Sequence, residues 1–170
     1  ELERRFLDLR NTFKLEQVQL FQIPDERPVS LAIGSKRGKI VISAGLIGSL
    51  EEKELDAVLA HELAHIKKRD ALLKTICLVY TYILRFDPII RLVEAAISRE
   101  MELVADEEAS HVTGEPLNLA SALVKIQMMM QVSPVNSFTS FDISSIGKGL
   151  LSKHPDLSIR IERLLALAKM

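Results

Sequence analysis

Apolar positions along this chain follow a helical spacing in some stretches and a strand-like alternation in others, and the changeovers mark its elements. Leu2, Phe6, Leu9 and Phe13 share one side of a helix predicted over residues 1–15. Residues 18–23 (Val-Gln-Leu-Phe-Gln-Ile) read as a strand, and residues 25–28 as a turn. Two further strands follow. One is Val29, Ser30, Leu31, Ala32 and Ile33; the other covers 39–43, after a glycine-containing turn at 34–38. Leu55, Val58, Leu59 and Leu63 then return to helical spacing and predict a helix over 51–68, with Ser49 and Glu52 as its capping box. Lys67, Lys68 and Arg69 sit at its end, where cations suit the helix dipole. Helices are expected over 71–85, 89–111, 117–131 and 156–169; Leu157, Ile161, Leu164 and Leu165 form the apolar face of the last. Residues 132–153 are rich in Ser, carry Pro134, Asn136, Gly147 and Gly149, and are expected to form a mobile loop.

A small sheet followed by helices argues for an α+β fold rather than a parallel βαβ one. The expected architecture is one domain over 1–170: an N-terminal helix to residue 17, a small antiparallel sheet over 18–50, and a mainly helical body over 51–112 and 113–170. The most apolar segment, 71–97, holds only ten consecutive uncharged residues, Thr75 to Leu84, where a membrane span needs about 20. Lys74, Arg85, Asp87 and Arg91 interrupt it and Pro88 breaks it. It reads as a buried or interfacial hairpin arm. Met128, Met129 and Met130 are expected to fill core at a helix end. His111 is expected at a helix C-terminus, with no chemistry assigned.

Composition adds little to this picture. A net charge of −1 advertises no nucleic-acid face. The single cysteine, Cys77, cannot close an internal disulfide and weakly favours a reducing compartment. No signal peptide is visible.

The chemistry lies in residues 61–65, His-Glu-Leu-Ala-His, inside the helix predicted over 51–68. Residues four apart on a helix share a face, about 6 Å apart along the axis. His61 and His65 can therefore bind one metal ion from the same side, and Glu62 is placed to serve as general base. This is the zinc-hydrolase pattern H-E-x-x-H. The competing reading is a buried structural histidine pair. A catalytic zinc site needs a third protein ligand and an open position. Glu102 and Asp106, four apart on the next predicted helix but one, supply candidates: Glu102 as ligand, and Asp106 as acceptor for the other ring N–H of a liganding histidine. Glu100 and Asp106 are the alternatives for the third ligand.

The joint pattern of His61-Glu62-Leu63-Ala64-His65, Ser98-Arg99-x-x-Glu102-x-x-Ala105-Asp106, and His154-Pro155 followed by Arg160-Ile161 resembles the gluzincin metallopeptidases of the HtpX and CAAX-prenyl-protease family. The resemblance covers roughly 18–168. It implies a zincin-like fold and a zinc endopeptidase, commonly membrane-embedded, with one zinc ion per chain held by His61, His65 and Glu102. It further implies Glu62 as general base, Asp106 behind a ligand, and His154 and Arg160 near the active site. Val29-Ser30 stands where that family usually has Asn-Ala, which leaves substrate anchoring open. Residues 28–88 also resemble the antibiotic-sensor peptidases of the BlaR/MecR type, through Ala64-His65-Ile66-Lys67-Lys68-Arg69-Asp70 and Arg85-Phe86-Asp87-Pro88.

The expected partner is an extended or unfolded polypeptide, received by strand addition on an exposed edge at Val29 to Ile33. Membrane association is expected through segments outside this chain, with the catalytic part in the cytoplasm. His154 can help the transition state or plug the metal. The rival readings are a signalling protease with one partner and a non-catalytic domain whose metal site is closed by a fourth ligand.

Overall fold

The computed structural model describes residues 1–84, 88–132 and 157–169. The chain runs α1 (Leu2–Thr12), β1 (Gln19–Ile23), β2 (Ser30–Ile33), β3 (Lys39–Ser43), α2 (Ala44–Ser49), α3 (Glu52–Lys68), α4 (Asp70–Ile83), α5 (Pro88–Thr113), α6 (Pro116–Val132) and α7 (Leu157–Leu167). The fold is α+β, a three-stranded sheet against a mainly helical body.

The strand order is β1-β3-β2. β2 pairs with β3 antiparallel, Leu31 opposite Val41, as expected of a hairpin over 29–43. β1 pairs with β3 parallel, Phe21 opposite Val41, so the sheet is mixed rather than wholly antiparallel. The chain leaves β1 through the 25–28 turn and enters β2 on the far side of β3; the next strand then returns beside β1 in its own direction. The central strand is the most buried, with Ile40 and Ile42 in the core. β2 is left at the edge.

Two contacts hold β2 in place. The buried Ser43 hydroxyl donates to Arg27 O (2.6 Å) and accepts from Val29 N (3.0 Å) and from Leu46 N at the start of α2. Gly45 N donates to Asp25 O, and a Cβ at Gly45 would stand 2.0 Å from Glu26 O, so only glycine lets the turn approach α2 this closely.

α3 lies at the centre, packed against α1, α5, α6 and β2. Its Leu59, Leu63 and Ile66 are fully buried with Leu46, Leu119 and Leu164. The capping box forms at Glu51 and Glu54, two residues later than Ser49 and Glu52 suggested. Ser49 ends α2 instead, its hydroxyl donating to Gly45 O at 2.7 Å. Glu54 accepts from Glu51 N (2.8 Å), Ser121 Oγ (2.6 Å) and Lys125 Nζ (2.8 Å), tying the start of α3 to α6. Burial opposes its ionisation, but Lys125, Ser121 and the Glu51 N–H hold its carboxyl below the ordinary range. Its stabilisation is therefore present above the unfolded value of about 4.3 and lost as pH falls through the lower folded one. Glu54→Ala is expected to cost about 1–3 kcal/mol in urea unfolding at pH 7, with a smaller loss at pH 3.

α3 ends at Arg69, whose left-handed backbone (φ 60, ψ 38) turns the chain straight into α4. α4 and the start of α5 carry outward-facing apolar side chains: Leu78 is 67% exposed, Tyr82 77% and Leu92 70%. Of the two placements expected for this arm, buried or interfacial, burial is thus excluded, and Cys77 on it is a half-buried free thiol. Among the described residues no helix is long and apolar enough to cross a membrane. The methionines differ from expectation too. Met128 lies on the outward face of α6, and Met130, on the stripe shared with Leu119, Leu123 and Ile126, lines the cleft described below.

Candidate metal centre

Four helices converge on one buried point. α3 presents His61 and His65 on one face, α5 brings Glu102 and Asp106, α4 brings Asp70, and α7 brings Arg160. The two histidine Nε2 atoms are 3.0 Å apart. Glu102 stands behind both, Oε2 3.4 Å from His61 Nε2 and Oε1 3.6 Å from His65 Nε2. These three residues offer donor atoms that all lie within 4.8 Å of one another. The rings meet edge to face, with centroids 4.6 Å apart, so the nitrogens approach one point from different directions.

Each ring is backed by a carboxylate. His61 Nδ1 lies 2.9 Å from Asp106 Oδ1, in a bent contact rather than a straight hydrogen bond. His65 Nδ1 pairs with Asp70 Oδ2 at 2.5 Å. Asp106 is in turn gripped by Arg160, Nε to Oδ2 at 2.7 Å and Nη2 to Oδ1 at 2.6 Å, while Arg160 Nη1 stands 3.4 Å from Glu102. Burial pulls His61 toward its neutral form, but Asp106 and Glu102 outweigh it and push the pKa up to about 9. Burial likewise opposes the charge on Asp106, yet His61 and Arg160 hold its carboxyl below the ordinary range. A metal ion and a proton therefore compete for His61. Two imidazoles, each with its Nδ1 facing an acid, and the Glu102 carboxylate are a donor set that fits a borderline-soft divalent metal.

The cluster opens into a cleft of about 260 Å³. Glu62, 8% exposed, lines it beside the histidines. β2 forms one wall through Val29, Ser30, Leu31 and Ala32; Ile33, at the far end, does not line it and is exposed. α6 forms another wall through Leu119, Leu123, Ile126 and Met130. Ser43 N donates to Val29 O, so Val29 belongs to a hydrogen-bonded pair with Ser43. In an antiparallel ladder such pairs alternate, which leaves the backbone groups of Ser30 and Ala32 turned to the free edge.

Of the residues singled out from sequence, His61, Glu62, His65, Glu102, Arg160 and residues 29–32 thus line one cleft, and Asp106 sits behind His61. His154 and the loop expected over 132–153 lie outside the described residues, apart from the final residue of α6. Asp70 was missed. It closes the Ala64–Asp70 segment of the antibiotic-sensor resemblance, but helical spacing alone would aim an acid five residues past His65 elsewhere; the left-handed Arg69 redirects it.

A family model of the BlaR1 peptidase M56 matches residues 21–145. A protease HtpX homologue of Gemmatimonas aurantiaca is 32% identical over 189 residues, covering 85% of this chain and 67% of that protein. Its counterpart from Thermococcus kodakarensis is 30% identical over 211 residues, covering 95% and 71%, and that of Methanopyrus kandleri 31% identical over 199 residues, covering 91% and 63%. Among solved structures, S. mikatae Ste24p shares the fold, with a TM-score of 0.69 at 20% identity, over 96% of this chain and 49% of that one. The chain spans roughly two thirds of the HtpX homologues it matches, and half of Ste24p. Fold and site define a metallopeptidase of the zincin-like kind. The chain belongs to the BlaR1 peptidase M56 family, among the HtpX and CAAX-protease type of metallopeptidases.

Proposed function

We propose that this chain is a zinc-dependent endopeptidase unit that cleaves extended or unfolded polypeptide, within a protease anchored to a membrane. The observation that carries the reading is the convergence of His61, His65 and Glu102 in a cleft walled by the edge strand β2 and lined by Glu62. Two imidazoles favour zinc over magnesium or calcium, and three protein donors leave the open position of a catalytic site. Among the described residues no fourth His or Cys joins the cluster, and Cys77 lies on the exposed arm. Zinc, when bound, supplies a Lewis acid for the scissile carbonyl and acidifies water.

The chain's own groups do the rest. The Ser30 and Ala32 backbone groups bind the substrate as an added strand, through main-chain hydrogen bonds that tolerate many sequences. Glu62 takes a proton from the attacking water and returns it to the leaving amine. Asp106 holds His61 by its Nδ1 edge. Arg160 acts through Asp106, because both of its short bonds go to that carboxylate. A second reading is a signalling peptidase with a single partner, favoured by the BlaR1 peptidase M56 match over 21–145. Cleavage of unfolded casein by the purified protein supports the first; cleavage confined to one partner supports the second.

Metal content tests the site. Glu102→Ala is expected to strip most of the zinc, and Asp106→Ala to weaken binding by about 10–100-fold, both followed by competition with a chromophoric chelator. Normal zinc affinity in Glu102→Ala would move the third ligand elsewhere and remove the basis for the proposal.

A further inference from the structure

We propose that Asp70 is a positioning residue for the metal centre: it accepts the Nδ1–H of His65 and commits that ring to presenting Nε2 toward His61 Nε2 and Glu102. The inference rests on the metal-centre reading above and extends it to a residue on another helix.

Three observations carry it. First, His65 Nδ1 and Asp70 Oδ2 are 2.5 Å apart, and Asp70 is 6% exposed, so the contact is short and nearly dry. A carboxylate so placed accepts a hydrogen bond from the Nδ1–H and fixes the tautomer. Second, the backbone is bent to make the contact. Arg69 takes a left-handed conformation that costs a non-glycine residue energy. That single residue ends α3 and starts α4, and it swings Asp70 back over the last turn of α3. Had α3 continued, residue 70 would lie well past His65 along the axis and on a different side.

Third, the two carboxylates behind the histidines are not equivalent. Asp106 divides its charge between His61 and the fork of Arg160. Among the described residues no cation other than His65 lies within ion-pair distance of Asp70. Its charge therefore acts on one ring, strengthening Nε2 of His65 as an electron donor. The same residue roots the exposed apolar arm, so the seating of α4 and the orientation of a ligand ring are set at one position.

The competing role is structural: an acid in the first turn of α4 favours that helix through its dipole. A role of that kind lowers the melting temperature of the metal-free protein and leaves metal affinity unchanged. The test measures zinc affinity and the rate of zinc release to a chelator, the visible spectrum of the Co(II)-loaded protein, and metal-free melting, for wild type, Asp70→Ala, Asp70→Asn and His65→Ala. Asp70→Ala is expected to weaken zinc by about 10–100-fold, to speed its release, and to shift the Co(II) spectrum. Asp70→Asn keeps an acceptor in the same space without the charge and is expected to fall between. It also serves if the alanine variant does not fold. Either variant, folded and with wild-type affinity and release rate, overturns the proposal. The His65→Ala control separates the two readings: if wild type binds no zinc, or His65→Ala binds it normally, the metal centre itself is wrong; if His65→Ala loses zinc and the Asp70 variants do not, only the role of Asp70 fails.

Discussion

Glu62→Gln is expected to stop peptide hydrolysis while one zinc ion per chain stays bound. Glu62 lies next to the first histidine of the cluster but is not among its three donors. It lines the cleft instead, nearly buried, where its carboxylate can reach a water that attacks a bound peptide. Glutamine keeps the size and most of the hydrogen bonding and loses only the ability to take a proton. General base catalysis is worth about 10²–10⁴-fold, and in the proposed mechanism the same group also protonates the leaving amine, so the upper end is expected. Zinc by mass spectrometry should read one per chain in both proteins. Undiminished cleavage by the variant, or loss of its metal, would reject Glu62 as the base.

Removing Arg160 should produce the largest loss of stability of any single side chain in the site. It is 5% exposed and stands between Asp106 and Glu102. Breaking one side of a buried ion pair leaves charge uncompensated and costs about 3–5 kcal/mol, a sizeable part of the 5–15 kcal/mol or so that holds a typical domain. Two refinements make the prediction specific. The loss in Arg160→Ala should be larger without metal than with it, since a bound cation partly neutralises Glu102. The pH dependence should also move. In the wild type, Asp106 has a lowered carboxyl pKa, so its contribution is present above the unfolded value of about 3.9 and lost as pH falls through the folded one. Without Arg160 the folded value rises, and acid unfolding should begin at higher pH. Denaturant melts with and without zinc, from pH 3 to 7, measure both. Equal stability of variant and wild type in the metal-free protein would show that Arg160 holds nothing together.

The comparison of Asp106 with Asp70 shows how far the chain could be read in one dimension. Glu102 and Asp106 were legible because both their helical spacing and their company with H-E-x-x-H are local patterns. Asp70 was not, because its reach to His65 depends on one residue with positive φ, which no periodicity announces. The capping box was misplaced by two positions for a similar reason. Ser49 was a fitting cap for α3 until the short helix α2, which carries too few apolar residues to show a period, claimed it. Arg160 could be placed near the site only by resemblance, and no local pattern names its partner. Only the packing of α7 on α5 selects Asp106.

Local chemistry thus fixed, from sequence, which helix carries the paired histidines and, to within a residue, where the strands begin and end. Those properties depend on residues within a few turns of one another, and spacing expresses them directly. The tertiary structure alone decided three others. It made β1 parallel to β3, because pairing follows the path of the chain around the sheet and not the alternation within a strand. It left β2 as the edge facing the cleft. It also gave each histidine its own carboxylate, Asp106 from a distant helix and Asp70 from across a bend. Such contacts join groups whose separation in space is set by how buried faces pack, and packing depends on all the elements at once.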